Sequence, residues 1–137
     1  MREKSTRFGD FIRKIRLKDK RELRQLDVAQ ELDMSLGLYS DIENNRRNPF
    51  DIDRMEKFIE MFNVSEEDKA RLFDLASREN NEIPIDIADT FTYDEVGEMA
   101  RFALREFQAG NLEEEDWKQL IRKAEENKAK RKGGGGK

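Results

Sequence analysis

Neither cysteine nor histidine occurs among the 137 residues of the chain. The absence of cysteine excludes disulfides, a thiolate nucleophile and a thiolate metal site. The absence of histidine removes the side chain that most often serves as a general base or as a metal ligand. We therefore predict that the protein is not an enzyme and that it uses no cofactor and no metal.

Long apolar runs are missing as well. No segment approaches the roughly 20 consecutive apolar residues of a membrane-spanning helix. The first ten residues, MREKSTRFGD, lack the apolar core of a secretory signal. We therefore expect a cytoplasmic, bacterial protein that has no membrane partner.

Charged residues are abundant, at 42% of the chain, and their two signs are unevenly placed. Residues 1–50 carry 12 Lys and Arg against 9 Asp and Glu, whereas residues 51–137 carry 15 against 22. A basic first part suits contact with phosphates, and an acidic remainder would keep nucleic acid off the other faces. An ordinary solvated surface would give the same distribution, so charge alone does not decide between these interpretations.

Apolar residues recur at spacings of three and four, which predicts an all-α protein. In the first part the pattern predicts five helices, over about 6–18, 23–32, 36–44, from Asp51 or Asp53 to Phe62, and 66–77. Ser5 or Thr6, Ser35 and Ser65 are the expected N-caps of the first, third and fifth helices. Inward positions of the fourth and fifth helices include Ile52 and Ala70.

A composition change over residues 78–91 marks the expected end of the first domain. Three isoleucines alternate around Pro84 there, which favours an extended connector. Two further helices are predicted over about 93–108 and 112–130, opened by Thr92 and Asn111. The expected division is a domain at 5–77, a connector at 78–91, a helical extension at 92–132 and a flexible tail at 133–137.

The most specific pattern is LRQLDVAQELDMSLGLYSDIENNRRNP at residues 23–49. Two short amphipathic helices are joined by a tight turn and followed by a basic loop. Residues 11–77 resemble the lambda-repressor/Cro-like helix-turn-helix family, also called the XRE family. Its pattern LxQxxLAxxLGVS is matched without a gap by Leu23, Gln25, Val28, Ala29, Leu32 and Ser35. The resemblance covers about half of the chain.

The resemblance implies a five-helix domain that places its second motif helix in the major groove of double-stranded DNA. Gln25 and Ser35 would contact phosphates, and the exposed start of the recognition helix would meet base edges. The loop after that helix would grip the DNA backbone. Arg16 would pair with Glu43. The implied DNA-binding residues are Gln25, Ser35, Leu36, Gly37, Leu38, Ser40, Asp41, Asn45, Arg46 and Arg47.

The chain departs from the family pattern in the link between Arg16 and Gln25, which is about two residues longer than usual and lacks glycine, and at two further places. Asp33 replaces the customary turn glycine, at a position that often needs a positive φ. The segment Leu36-Gly37-Leu38 offers no Arg, Gln or Asn for a bidentate base contact. Specificity for a DNA sequence would then depend on Arg46 and Arg47, on DNA shape or on water-mediated contacts. Gly37 costs about 1 kcal/mol of helix stability relative to Ala, which a close approach of the backbone to DNA would explain.

Two functions remain open at this point. The resemblance implies a sequence-specific regulator, a repressor more often than an activator, that binds as a homodimer. The alternative is an antitoxin or adaptor that binds a partner protein, such as a toxin or a peptidase, through its C-terminal helices. The acids at 113–116 point in different directions on a helix, so they favour dipole compensation over a metal site. The stripe of Trp117, Leu120, Ile121 and Ala124 belongs either to a core or to a dimer interface.

Overall fold

The computed structural model describes residues 6–134, and that part of the chain contains eight α-helices and no β-strand. The all-α prediction is confirmed, and five helices precede residue 81. No helix within 6–134 combines the length and the apolar character needed to cross a membrane. The helices are α1 (Phe8–Lys18), α2 (Gln25–Glu31), α3 (Leu36–Glu43), α4 (Ile52–Met61), α5 (Glu66–Asn80), α6 (Ala88–Tyr93), α7 (Glu95–Gln108) and α8 (Glu114–Gly134).

The chain divides between Ala88 and Asp89 into two compact units. We call them the first unit and the second unit, and each is described by itself. The first unit contains α1 to α5, and the second contains α7, α8 and nearly all of α6.

Aromatic rings form the centre of the first unit's core. The ring centroid of Phe50 lies 5.4 Å from that of Phe8 and 5.6 Å from that of Phe58. Phe50 also stacks on Tyr39 at 6.1 Å. The sequence pattern did not place Phe50 in the core, because it precedes the helix. The other buried hydrophobic residues are Ile12, Val28, Ala29, Leu32, Ile42, Met55, Phe62, Leu72, Phe73, Leu75 and Ala76.

Two inward assignments in this unit are wrong. Ile52 is 39% exposed, because it is the first residue of α4 and Phe50 fills the core just before it. Ala70 is exposed on α5, whose core side is made by Leu72, Phe73, Leu75 and Ala76.

Most helix starts of the first unit use the expected caps. Ser35 Oγ accepts from the backbone N–H of Leu38 at 3.1 Å, and Ser65 Oγ accepts from that of Asp68 at 3.1 Å. Asp51 caps α4. The assignment for α1 is wrong for Thr6, because the helix begins at Phe8 and its N-cap is Arg7, whose backbone N–H donates to Asp10 at 3.1 Å. Ser5 lies outside the described residues.

The predicted extended connector is wrong at both of its ends. Helix α5 continues to Asn80 and closes with Asn81 in the left-handed conformation, at φ 57°. Helix α6 begins at Ala88, within the segment expected to be extended. Alternating isoleucines suggested extended chain, but Ile83 and Ile85 are exposed and no strand pairs with them among the described residues.

The caps assigned to the last two helices are also wrong. Thr92 lies inside α6, and Asp94 is the N-cap of α7. Asn111 donates its amide to the Glu106 carboxylate at 2.8 Å instead of capping a helix. Helix α8 begins at Glu114, where the Glu113 N–H donates to Asp116 Oδ2 at 2.8 Å.

The last part of the chain was predicted as a flexible tail from residue 133. Helix α8 extends to Gly134, so that prediction is wrong for the first two glycines. The remaining residues, 135–137, lie outside the described part of the chain.

Candidate nucleic-acid interface

The turn between α2 and α3 fixes the direction of α3 relative to α2. Asp33 takes φ 60°, as predicted for the position of the missing glycine. The Met34 N–H donates to the Ala29 carbonyl at 3.0 Å, and Ala29 itself is fully buried. A small side chain at Ala29 lets the two helices approach closely.

A residue that sequence reasoning missed braces this turn from α4. Arg54 donates through Nε to the Leu32 carbonyl at 2.9 Å and through Nη2 to the Asp33 carbonyl at 3.0 Å. These two carbonyls have no partner inside their own helix, because they lie at the end of α2. Helix α4 is thereby tied to the turn between α2 and α3.

The expected pair of Arg16 and Glu43 is confirmed, and it is the centre of a larger network. Arg16 Nε lies 2.6 Å from Glu43 Oε2, and Arg16 Nη2 lies 3.0 Å from Oε1. Tyr39 Oη donates to Glu43 at 2.7 Å, and the Gln25 amide donates to it at 2.8 Å. Glu43 is only 1% exposed. One buried carboxylate therefore joins α1, α2 and α3.

The charge of Glu43 is retained in this network. Burial alone would raise the pKa of the Glu43 carboxyl, but hydrogen bonds from Arg16, Tyr39 and Gln25 outweigh it and lower that pKa below its usual value. Burial and the adjacent carboxylate both raise the pKa of the Tyr39 hydroxyl. Tyr39 thus stays a donor and Glu43 stays an acceptor, which keeps α3 in one position.

The side-chain amide of Gln25, which was expected to contact a phosphate, already donates a hydrogen bond to Glu43. One amide N–H of Gln25 is used by Glu43, so a phosphate would be bound by the second N–H. Ser35 is exposed, and its hydroxyl oxygen accepts the capping bond from α3. The hydroxyl hydrogen of Ser35 stays available to a phosphate oxygen.

The start of α3 presents a small apolar tip. Leu36 is 45% exposed, and Gly37 is exposed with no atom within 4 Å of the place where a Cβ would be. Leu38, in contrast, packs partly against the core. Of the three residues, the structure leaves Leu36 and Gly37 open to a ligand.

Further along α3, polar residues follow the tip. Ser40 accepts a bond from the Asn44 amide at 3.4 Å. The Asp41 carboxylate lies 3.9 Å from Arg46 Nη1 and 3.9 Å from Arg47 Nε. Both arginine side chains are largely exposed. We call Asp41, Arg46 and Arg47 the charged triad. It consists of one carboxylate on α3 and two exposed arginines in the loop that follows α3.

Asn45, which was expected to contact DNA, forms hydrogen bonds within the domain. It takes φ 62°, its amide oxygen accepts from the Gly9 N–H at 2.9 Å, and its amide nitrogen donates to Asp10 at 3.0 Å. Its side chain therefore joins the loop to the start of α1. A phosphate contact from Asn45 would use the second N–H of the amide.

Gly9 is a second position that sequence reasoning missed. A Cβ at Gly9 would lie 2.5 Å from the Glu43 carbonyl oxygen and 2.6 Å from Asn45 Oδ1. Only glycine lets α1 pass so close to the end of α3. The signal in the sequence was a glycine early in a predicted helix, where it lowers stability relative to Ala.

The charged residues of the C-terminal part show no metal-binding arrangement. Among the described residues, no group of three or more acidic side chains lies together in a way that could hold an ion. Glu114, Glu115 and Asp116 instead lie in the first turn of α8, and Glu113 directly precedes it.

Comparison with protein families places the geometry in a wider context. The family model described as Helix-turn-helix matches residues 12–69, from within α1 into α5. Neither the comparison with curated proteins nor the one with solved structures gave a match.

Proposed function

The domain at residues 12–69 belongs to the lambda-repressor/Cro-like helix-turn-helix family of DNA-binding transcription regulators, and on that premise we propose that the protein is a sequence-specific repressor. In this proposal the protein binds double-stranded DNA as a homodimer, with α3 in the major groove. Two copies would read half-sites about 34 Å apart, which raises both affinity and specificity. A role on DNA also supports the proposed location in the cytoplasm.

The observation that carries the proposal is the position of the charged triad beside the exposed tip of α3. The buried Glu43 network holds α3 against α1 and α2, and the loop that follows it displays Arg46 and Arg47. A helix that is fixed at its core side and flanked by exposed arginines suits insertion into a groove lined by phosphates.

Base recognition would rest on few contacts. Leu36 can contact a thymine methyl group, and Asp41 can accept a hydrogen bond from a cytosine amino group. Ser40 can serve either a base or a phosphate. The open space at Gly37 lets the helix backbone approach the bases closely. We therefore propose that the recognised DNA sequence is short and that most contacts of the protein are to the DNA backbone.

The test is the salt dependence of DNA binding by Arg46→Ala/Arg47→Ala. We expect weaker binding to every sequence and a slope of log K against log salt that is smaller by about 2, because two phosphate contacts are lost. The matched control is Lys57→Ala/Arg78→Ala, which removes the same charge from exposed positions on α4 and α5. An unchanged slope in the triad variant, or an equal change in the control, would remove the loop from the interface.

A further inference from the structure

Helix α8 carries a stripe of apolar side chains that is exposed in the middle of the helix. Trp117 contacts the Phe107 ring of α7 edge-on at a centroid distance of 6.2 Å. About one turn further on, Leu120 is 61% exposed and Ile121 is 55% exposed. Ala124 continues the same face at helical spacing. Exposed apolar side chains do not stabilise a solvated helix, so the stripe favours a surface that is covered by another chain.

The two ends of α8 carry blocks of opposite charge, whereas both signs are mixed between them, at Lys118, Arg122, Lys123, Glu125 and Glu126. Four acids, Glu113 to Asp116, stand at its start, whereas Lys128, Lys130, Arg131 and Lys132 stand at its end. Glu114 and Lys132 are 18 residues apart, which is five full turns, so they project from the same side of the helix. Leu120, Ile121 and Ala124 lie midway between them. The helix is therefore complementary in charge to a second copy of itself running in the opposite direction.

We propose that α8 is a homodimerisation surface on which a second copy packs antiparallel. A two-fold axis near residues 122–123 would bring the two Leu120, Ile121 and Ala124 stripes together. It would also set Glu114 of each copy opposite Lys132 of the other, and Glu113 opposite Arg131. A parallel pairing would instead place like charges side by side, which is unfavourable.

Helix α7 exposes apolar side chains too, among them Val96, Met99 and Phe102. Nothing in its charges specifies an occupant, so the proposal concerns α8. It deepens the proposed function, because it names the surface that would join two DNA-reading domains, and it rests on that function only for this use.

The charge order of α8 has a competing explanation. Acids at the start and bases at the end also stabilise the helix through its dipole, with no second chain involved. The two explanations differ for a helix in which both charge blocks are reversed. Such a helix has the least favourable dipole, but two copies of it regain opposite charges across an antiparallel interface.

The experiment is sedimentation equilibrium of the full chain without DNA. We expect the wild type to dimerise, and Glu113→Lys/Glu114→Lys and Arg131→Glu/Lys132→Glu each to weaken the dimer about tenfold or more, because several exposed ion pairs turn repulsive. The variant with all four changes should regain most of the affinity. An equimolar mixture of the two block variants should form heterodimers, and this keeps the test valid if the fourfold variant folds poorly.

The apolar stripe is tested with one matched pair of variants. Ile121→Glu places a charge in the proposed interface and should abolish the dimer, whereas Gln119→Glu adds the same charge on the opposite side of the helix and should leave the dimer unchanged. Helical content by circular dichroism confirms that both variants fold.

Three results would overturn the proposal. They are a monomeric wild type, a fourfold variant and a mixture that both fail to associate, and an equal loss of dimer in Gln119→Glu. The first of these results also covers the case in which the wild type is monomeric because a different protein covers the stripe. DNA binding is measured separately on the same variants, so a failed dimer does not decide the DNA-binding proposal, and a failed DNA assay does not decide the dimer.

Discussion

The two units of the chain reach helical structure in different ways. All of the buried hydrophobic side chains among the described residues lie in the first unit, six of them aromatic, and the buried Glu43 network lies in the same unit. In the described part of the second unit the one buried residue is Gly97. Eight large hydrophobic side chains stay exposed there: Tyr93, Val96, Met99, Phe102, Leu104, Phe107, Leu120 and Ile121.

The comparison separates what an amphipathic pattern specifies from what it leaves open. Apolar spacing predicted a helix in both units, since it reports which residues share a face. It did not report what would cover that face. The first unit covers its faces with its own helices, whereas the second unit leaves many of its apolar side chains exposed.

The largest expected effect breaks the first unit's buried network. Arg16→Ala leaves the Glu43 carboxylate buried without its cation, which we expect to lower the free energy of unfolding by about 3–5 kcal/mol. The matched control is Arg24→Ala, which removes an exposed ion pair with Asp27 and should change the free energy of unfolding very little. Urea titration measures both. A small, equal effect in the two variants would contradict a structural role of the network.

A second prediction compares two glycines of the first unit. Gly9→Ala forces a Cβ against the Glu43 carbonyl and the Asn45 side chain, and should cost about 1–3 kcal/mol. Gly37→Ala meets open space and should stabilise α3 by up to about 1 kcal/mol. Thermal unfolding gives both signs, and a stabilised Gly9→Ala would show that α1 and α3 are less closely packed than described.

The Gly37→Ala variant also tests how closely α3 approaches DNA. If α3 approaches DNA closely at Gly37, Gly37→Ala should weaken DNA binding although it stabilises the domain. Equal or tighter binding would show that the backbone stays away from the bases at this position.

The smallest expected effect is a difference in acid sensitivity. Glu43 has a lowered pKa in the folded protein, so its stabilising contribution is complete above the unfolded value of about 4.3 and is lost as the pH falls through the lower folded value. Glu43→Gln should therefore be less stable than the wild type at neutral pH, and the difference should shrink below about pH 4. Other acids with lowered pKa, such as Asp19 and Asp27, are common to both proteins and cancel. A difference that is constant with pH would show that Glu43 is not charged in the folded state.

Local patterns predicted much of the first unit. The positive φ of Asp33, the cap at Ser35 and the pairing of Arg16 with Glu43 all followed from short motifs or from the family resemblance, and all are confirmed. The DNA contacts assigned to residues such as Leu36 and Arg47 stay predictions. These signals are visible because each depends on residues a few positions apart or on a fixed family spacing.

The features that were missed depend on contacts between distant segments. Phe50 enters the core from a loop, Gly9 is set by the end of α3, and Arg54 reaches back to the turn before α3. None of these has a local motif. In the second unit, a Cβ at Gly97 would overlap the carbonyl groups of Thr90 and Phe91, so α6 and α7 pack closely there and α7 begins after Asp94. The expected cap at Thr92 had predicted an earlier start of this helix.

Selection of bound sequences from random duplex DNA by the purified protein is a direct test of whether α3 and the charged triad read DNA. We expect an enriched palindrome with half-sites about one helical turn apart, and loss of enrichment in Arg46→Ala/Arg47→Ala. Weak binding without any enriched sequence, unchanged by that double substitution, would contradict it.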